Sequence, residues 1–428
     1  MTRILLAILL SFVFNVGLAQ KGVWFGELNI QGVKLPLVFH FENKECTLDS
    51  PAQGAKGLKA IKSYTPEGKI RIELPNIGAA FEGYMDMEII SGMFSQGGLS
   101  LPLTLKPGEP KPNRPQTPTP PFPYTTEDIV FYNDGYTFKG TLTLPEGYTN
   151  NTPVLVMITG SGLQNRDEEV MEHRPFAVIA DALARQGIAT MRYDDRGYDV
   201  SKFSFFDFTI SHYASDAEVG IKLMRERFRR VGVIGHSEGG TIALMLASEG
   251  KIDFCVSLAG MAVSGKETLM DQNRVMLKNK GLSAEDVDAY CDVLNEVLNK
   301  LSENSLPMNV DHSEVPDILK ENFNAALAQL STPYMRDFVK CNVSLSLSRV
   351  TCPVLALNGS HDTQVNCENN LDAIEKGLVN CKHEIIICKE LNHLFQHCKT
   401  GMPNEYPIIE ETFAQDVLQK IVEWIKEL

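Results

Sequence analysis

The chain has 428 residues, long enough for two domains rather than one. Hydrophobic residues make up 43% and charged residues 22%, the composition of an ordinary globular protein with a normal core. The formal net charge of -14 excludes a surface that attracts phosphate backbones, so nucleic acid is not an expected partner, and no run of Lys and Arg marks a membrane-surface patch.

At the N-terminus, Arg3, the apolar run 4–13 and Gly17-Leu18-Ala19 read together as a signal peptide, 1–19, with cleavage before Gln20. The run is shorter than the about 20 residues that span a bilayer. No stable membrane anchor is therefore expected after cleavage, and the mature chain is expected to be secreted or periplasmic. Residues 20–105 hold short, partly alternating apolar stretches at 24–30, 35–41, 70–74, 81–90 and 99–105, punctuated by Gly and Pro. They predict a small all-β domain, a sandwich or barrel, and carry no evident reaction chemistry. Residues 106–123 read KPGEPKPNRPQTPTPPFP. Proline at this density fixes φ and removes amide donors, which predicts an extended, semi-rigid linker.

Residues 124–428 alternate strand and helix. Strands are predicted at 138–144, 154–158, 188–193, 231–234, 254–258, 354–357 and 383–388, and helices at 176–185, 214–228, 239–248 and 412–428. That order implies a mostly parallel sheet with helices on both faces. The interval of about 262–348 breaks it. There the pattern is helical, with a capping start at Ser283-Ala284-Glu285-Asp286, which predicts a helical cap inserted over the sheet edge.

Gly235-His236-Ser237-Glu238-Gly239 matches G-x-S-x-G between an apolar strand and a helix. In that context the serine sits on a tight, strained turn that exposes its hydroxyl, and Ser237 is the candidate nucleophile. A hydroxyl needs a base. With the chain order Ser, acid, His, the acid is Asp362, after the strand 354–357, and the base is His393, after the last strand. His361 precedes the acid, and His397 has no comparable position behind a strand. His236 is expected to pack at the end of the sheet. An oxyanion hole needs two backbone amides. One is expected from Glu238, the other from Ser161 or Gly162 in the glycine-containing loop that follows the strand 154–158. The charges of Arg192-Tyr193-Asp194-Asp195-Arg196-Gly197 read as a salt-bridge lattice that fixes loops. The acids of the cap read as a solvated face.

None of the nine cysteines forms a C-x-x-C pair, and no His, Cys and carboxylate cluster has ligand spacing. No metal and no cofactor are therefore expected. Six cysteines lie after residue 340, where one disulfide and buried free thiols are both compatible with the spacing.

Four segments taken together carry a resemblance: Thr159-Gly160-Ser161-Gly162-Leu163-Gln164-Asn165-Arg166-Asp167-Glu168, Arg192-Tyr193-Asp194-Asp195-Arg196-Gly197, Gly235-His236-Ser237-Glu238-Gly239-Gly240 and Leu391-Asn392-His393-Leu394-Phe395-Gln396. With them, residues 129–428 resemble a bacterial α/β-hydrolase group of carboxylesterases with a serine-aminopeptidase-like domain. The resemblance implies an α/β-hydrolase fold and a triad of Ser237, Asp362 and His393. Relatives continue the Arg-Gly pair with Gly and Ser, where this chain has Tyr198-Asp199-Val200-Ser201. The expected substrate is a small-molecule ester of a small or medium acyl group. An aminopeptidase or amidase on short peptides is the alternative, and a non-catalytic binding protein on the same fold is the third reading. The complete Ser, Asp, His order counts against the last.

Overall fold

The computed structural model describes residues 21–428 apart from 31–32, 43–44, 51–52, 54, 87, 110–111, 199–206 and 304–309. The expected signal peptide lies outside the described residues, as do most of the positions after Tyr198 where the chain departs from its relatives. The chain divides into two compact units, Met1–Pro112 and Asn113–Leu428.

The first unit is a closed barrel of eight antiparallel strands in sequential order: β1 (Gly22–Ile30), β2 (Val33–Glu42), β3 (Glu45–Ser50), β4 (Ala55–Tyr64), β5 (Ile70–Leu74), β6 (Ala79–Asp86), β7 (Ile89–Gln96) and β8 (Leu99–Pro107). Closure comes from β1 pairing with β8, Trp24 opposite Pro107 and Phe25 opposite Lys106. Every second side chain points inward, and Phe39, Phe41, Leu48, Ile70, Ile72 and Phe81 fill the interior. The stretch 81–90 is not one strand. It spans the end of β6 and the start of β7. The lysine-rich β4 gave little strand signal because its outward face is solvated: Lys56, Gly57 and Lys59 are exposed while Ala60 is buried.

The second unit starts earlier than the proline density suggested. Residues 113–123 are not a free joint. Arg114 donates to the carbonyls of Ile409 and Pro407 at 2.8 and 3.0 Å, and to Met171 at 2.9 Å. The Gln116 side chain donates to the Phe413 carbonyl and accepts from the amides of Thr412 and Phe413. Proline removes local backbone pairing but leaves side chains to anchor the strand elsewhere. A chain beginning at Asn113 is therefore expected to fold. One beginning at Tyr124 loses these anchors, and its melting temperature should be lower; equal thermal melts for the two would count against the anchoring.

An eight-stranded sheet crosses this unit. Its strands are β9 (Tyr124–Asn133), β10 (Tyr136–Pro145), β11 (Val154–Ile158), β12 (Ala189–Tyr193), β13 (Val231–His236), β14 (Cys255–Leu258), β15 (Val354–Gly359) and β16 (His383–Cys388), in spatial order 16-15-14-13-11-12-10-9. Only β10 is reversed, running antiparallel to both its neighbours β12 and β9; β11 to β16 pair in parallel. The helices α1 (Pro175–Ala184), α2 (Ile210–Arg225), α3 (Glu238–Ser248), α8 (Cys367–Gly377) and α9 (Gln415–Lys426) alternate with these strands, and two apolar layers cover the sheet's faces. This is the α/β-hydrolase arrangement. The closing helix begins at Gln415, not at residue 412, because Gln116 holds Thr412 and Phe413 out of it.

The helices α4 (Gly265–Asn279), α5 (Ala284–Ser302), α6 (Lys320–Leu330) and α7 (Pro333–Lys340) form the cap, with its own core of Val287, Leu294, Leu298, Phe323 and Val339. Ser264, Ser283 and Thr332 cap the starts of α4, α5 and α7, each accepting an amide three residues on. All nine cysteines carry free thiols. Among the described residues no helix is long and apolar enough to cross a membrane.

Candidate active site

Ser237 sits between β13 and α3 at φ 54° and ψ -118°, a strained conformation for a residue with a Cβ. The flanking glycines make the turn possible. A Cβ on Gly235 would lie 2.0 Å from the Gly239 carbonyl oxygen, and one on Gly239 would lie 2.0 Å from the Ile158 carbonyl oxygen. Any larger residue at either position would force strand and helix apart. The Ser237 amide is spent on the Leu258 carbonyl at 2.8 Å. The next amide, of Glu238, is the first of α3, so it has no intrahelical partner and points from the positive end of the helix.

Asp362 follows β15, and its two oxygens have separate partners. Oδ1 accepts the amides of Gln364 and Val365 at 2.7 and 2.9 Å; Oδ2 accepts from Nδ1 of His393 at 2.7 Å. Both side chains are buried, at 0% and 5% exposure. An ionised carboxylate only accepts, so Nδ1 of His393 carries the hydrogen and Nε2 keeps its lone pair. Nε2 has no hydrogen-bond partner among the described residues, and Ser237 Oγ is not yet bonded to it, as is common before substrate tightens such contacts. The loop holding His393 is folded by Asn392, fully buried, whose Oδ1 accepts the amides of Leu394 and Gln396 at 3.0 Å each. Phe395 pins it from below: its ring lies 5.2 Å from that of Phe413, and its carbonyl accepts the Ala414 amide.

The loop after β11 is held by three buried carboxylates. Asp195 accepts from the Thr159 hydroxyl at 3.0 Å and from the Gln164 amide at 2.8 Å. Glu168 accepts the Gly160 amide at 2.6 Å. Glu238 accepts from the Ser161 hydroxyl at 3.5 Å and from the Tyr334 hydroxyl of α7. Burial pushes the Asp195 carboxyl well up, against the hydrogen bonds from Gln164 and Thr159 and with the charges of Glu238 and Glu168. Burial also raises Glu238, to about 7, against its bonds to Tyr334 and Ser161 and with the charge of Asp337. With the Gly160 amide spent on Glu168, the two predicted donors, the amides of Ser161 and Gly162, are both without a partner among the described residues, as is the amide of Leu163. Of the two, Ser161 is tied by its side chain to Glu238.

His236 is more than packing at the end of the sheet. Its Nδ1 lies 2.9 Å from Glu168 and its Nε2 2.8 Å from the His393 carbonyl, with the two imidazole rings 4.7 Å apart. Burial pulls its pKa down, yet the Glu168 carboxylate and the His393 carbonyl together leave it raised. Glu168 thus joins the Gly160 loop to His236, and His236 to the His393 loop. The neighbouring charges form the expected lattice: Arg192 pairs with Asp167, Arg166 with Asp194 at 2.6 Å, and Arg196 with Asp216 at 2.7 Å. Asp195 is the exception, because it holds the loop instead. His361 lies against Cys398 and His397 against Glu411.

The sequence alone gives no role to Glu168, Asn392 or Tyr334, and of the cap it marks only the acids, as a solvated face. The first two stood inside recognisable segments, but their partners are 8 or more residues away or in the backbone. Tyr334 lies 96 residues from Glu238, and no spacing rule spans that distance. Among the described residues no group of three or more His, Cys, Asp or Glu is placed to hold a metal ion.

Residues 134–387 match the family model described as X-Pro dipeptidyl-peptidase (S15 family). Esterase EstD of Thermotoga maritima is 30% identical over 259 residues, 60% of this chain and 57% of that protein, so the chain spans less than two thirds of that relative's length. Among solved structures, Est1E from Butyrivibrio proteoclasticus is similar at 19% identity and a TM-score of 0.41, over 70% of this chain and 98% of its own. The dienelactone hydrolase from Anabaena variabilis is similar at 17% identity and a TM-score of 0.41, over 71% of this chain and 98% of its own. The family match takes in more than half of the chain, which therefore belongs to the X-Pro dipeptidyl-peptidase (S15) family of the α/β-hydrolase superfamily.

Proposed function

We propose that the protein is a serine hydrolase that cleaves carboxylic esters of small or medium acyl groups through an acyl-enzyme. The observation that carries this reading is the buried 2.7 Å bond between Asp362 and His393 next to the strained serine turn. Ser237 Oγ attacks the ester carbonyl carbon while its proton passes to Nε2 of His393. The carbonyl oxygen becomes an oxyanion facing the amides of Glu238 and Ser161. The bond to the alcohol oxygen breaks, and His393 returns the proton to that oxygen. Water then repeats the sequence on the acyl-enzyme and releases the acid. The name of the relative EstD agrees with ester cleavage.

The family description favours a second reading, the cleavage of peptides with a free amino terminus. Such a substrate needs carboxylates left open for its ammonium group. Asp195, Glu168 and Glu238 are each occupied by amide, hydroxyl or imidazole partners. An alkoxide or phenolate also leaves more easily than an amine. The expected result is a higher kcat/KM for a short p-nitrophenyl ester than for any aminoacyl or X-Pro p-nitroanilide. A preference for an anilide with a free amino terminus, lost on acetylating that terminus, would overturn the esterase reading. Export to the periplasm or medium is part of the proposal and rests on Arg3, the apolar run and Gly17-Leu18-Ala19 alone.

A further inference from the structure

Three elements meet at one carboxyl group. Glu238 opens α3, Ser161 lies on the loop after β11, and Tyr334 comes from the cap helix α7. The Tyr334 hydroxyl donates to Glu238 Oε2 and lies 3.0 Å from Ser161 Oγ, which is itself 3.5 Å from Glu238 Oε2. Glu238 and Tyr334 are 2% and 3% exposed, so water does not compete for these bonds. The seat of α7 is firm: Thr332 caps it, Pro333 opens it, and a Cβ on Gly265 of α4 would lie 1.9 Å from the Phe338 carbonyl oxygen.

We propose that Tyr334 and the Glu238 carboxyl are positioning residues of the oxyanion hole. They bind the side chains of Ser161 and Glu238 into one hydroxyl–carboxyl triangle, and so hold the two backbone amides at a fixed spacing. The inference rests on the acyl-transfer reading above. Its consequence is that a residue of the cap, far from the serine turn in sequence, sets how well the oxyanion is held.

Such a tie acts on the transition state, because the amides are needed most when the oxygen carries charge. It should therefore appear in kcat rather than KM. The groups facing Glu238 are Tyr334 and Asp337 from α7, Cys341 at the end of that helix, Ser161 from the loop, Asp195 after β12, and Tyr213 from α2. Burial and the acidic neighbours favour its neutral form up to about 7. Above that pH its charge opposes the developing oxyanion, so kcat should decline as Glu238 ionises.

The test uses the full chain and a short p-nitrophenyl ester. Tyr334→Phe should lower kcat about tenfold, a fraction of the roughly 10²–10³ that one oxyanion donor supplies, while KM stays within about twofold. Its circular dichroism should match the parent. Glu238→Ala should fall at least as far. Glu238→Gln, which still accepts from Tyr334, should recover most of that loss and abolish the decline in kcat above neutral pH. Unchanged kcat in Tyr334→Phe, a change in KM alone, or a decline that persists in Glu238→Gln would overturn the tie. A parent protein in which Ser237 resists a fluorophosphonate and the ester is not turned over would instead overturn the acyl-transfer reading and the inference with it. A labelled, active parent beside an unaffected Tyr334→Phe overturns the tie alone.

Discussion

Ser237→Ala is expected to lose roughly three or more decades of ester turnover, with what remains coming from the oxyanion hole and substrate binding. At about 1.4 kcal/mol per decade that is about 4 kcal/mol of transition-state stabilisation from a single oxygen atom. The fold should not notice. Ser237 Oγ makes no hydrogen bond among the described residues, and alanine at φ 54° carries the same backbone strain as serine. Ser237→Gly makes the argument sharper. Glycine adopts positive φ freely, so this variant should be as inactive as alanine and more thermostable, by about 1 kcal/mol in a denaturant melt. Inactivity together with a gain in stability would identify the turn as strained for function. Full turnover by a folded Ser237→Ala protein would remove Ser237 from the reaction.

Much of this site was legible in the sequence because its parts are local. The serine turn needs two glycines at fixed offsets, and both are required by close backbone approach, Gly235 to Gly239 and Gly239 to Ile158. Asp362 and His393 each follow a strand whose apolar run is plain. The parallel strands β11, β13 and β15 read as continuous apolar segments because both faces of the sheet are covered there. What was hidden depends on contacts between distant residues. Tyr334 reads as one more aromatic on an amphipathic helix until the fold brings it to Glu238. Glu168 looks like one acid in an acidic stretch until it is seen beneath Gly160 and His236. The barrel strands β3 and β4 escaped for a different reason. β3 is six residues long, with Cys46 and Leu48 as its apolar inward residues, and β4 carries Lys56, Lys59 and Lys62 and pairs with β3 across a register shift between Leu48 and Ser50, so the apolar alternation is short in one and weak in the other.

Asp362→Asn should cost about as much as losing the nucleophile, near 10⁴ in kcat, with the architecture intact. The reason lies in how the carboxylate is divided. Oδ1 accepts the amides of Gln364 and Val365, so the carbonyl oxygen of an asparagine would take that place and keep both bonds. Its NH₂ group would then face Nδ1 of His393, donor against donor. The imidazole escapes that clash by moving its hydrogen to Nε2, the nitrogen that must be free to take the Ser237 proton. The variant is thus folded, binds substrate with an ordinary KM, and holds its base in the wrong tautomer. Replacing a fully buried carboxylate by a neutral isostere that keeps its amide bonds should leave the melting temperature near that of the parent. Asp362→Ala differs on that point, since it leaves two partly buried amides without this acceptor and should be destabilised by about 1–3 kcal/mol in all. Steady-state kinetics and the rate of fluorophosphonate labelling of Ser237 should fall together in Asp362→Asn, because both need the same proton removed. An asparagine variant within tenfold of the parent would show that Asp362 does not orient His393, whatever the 2.7 Å bond between them suggests.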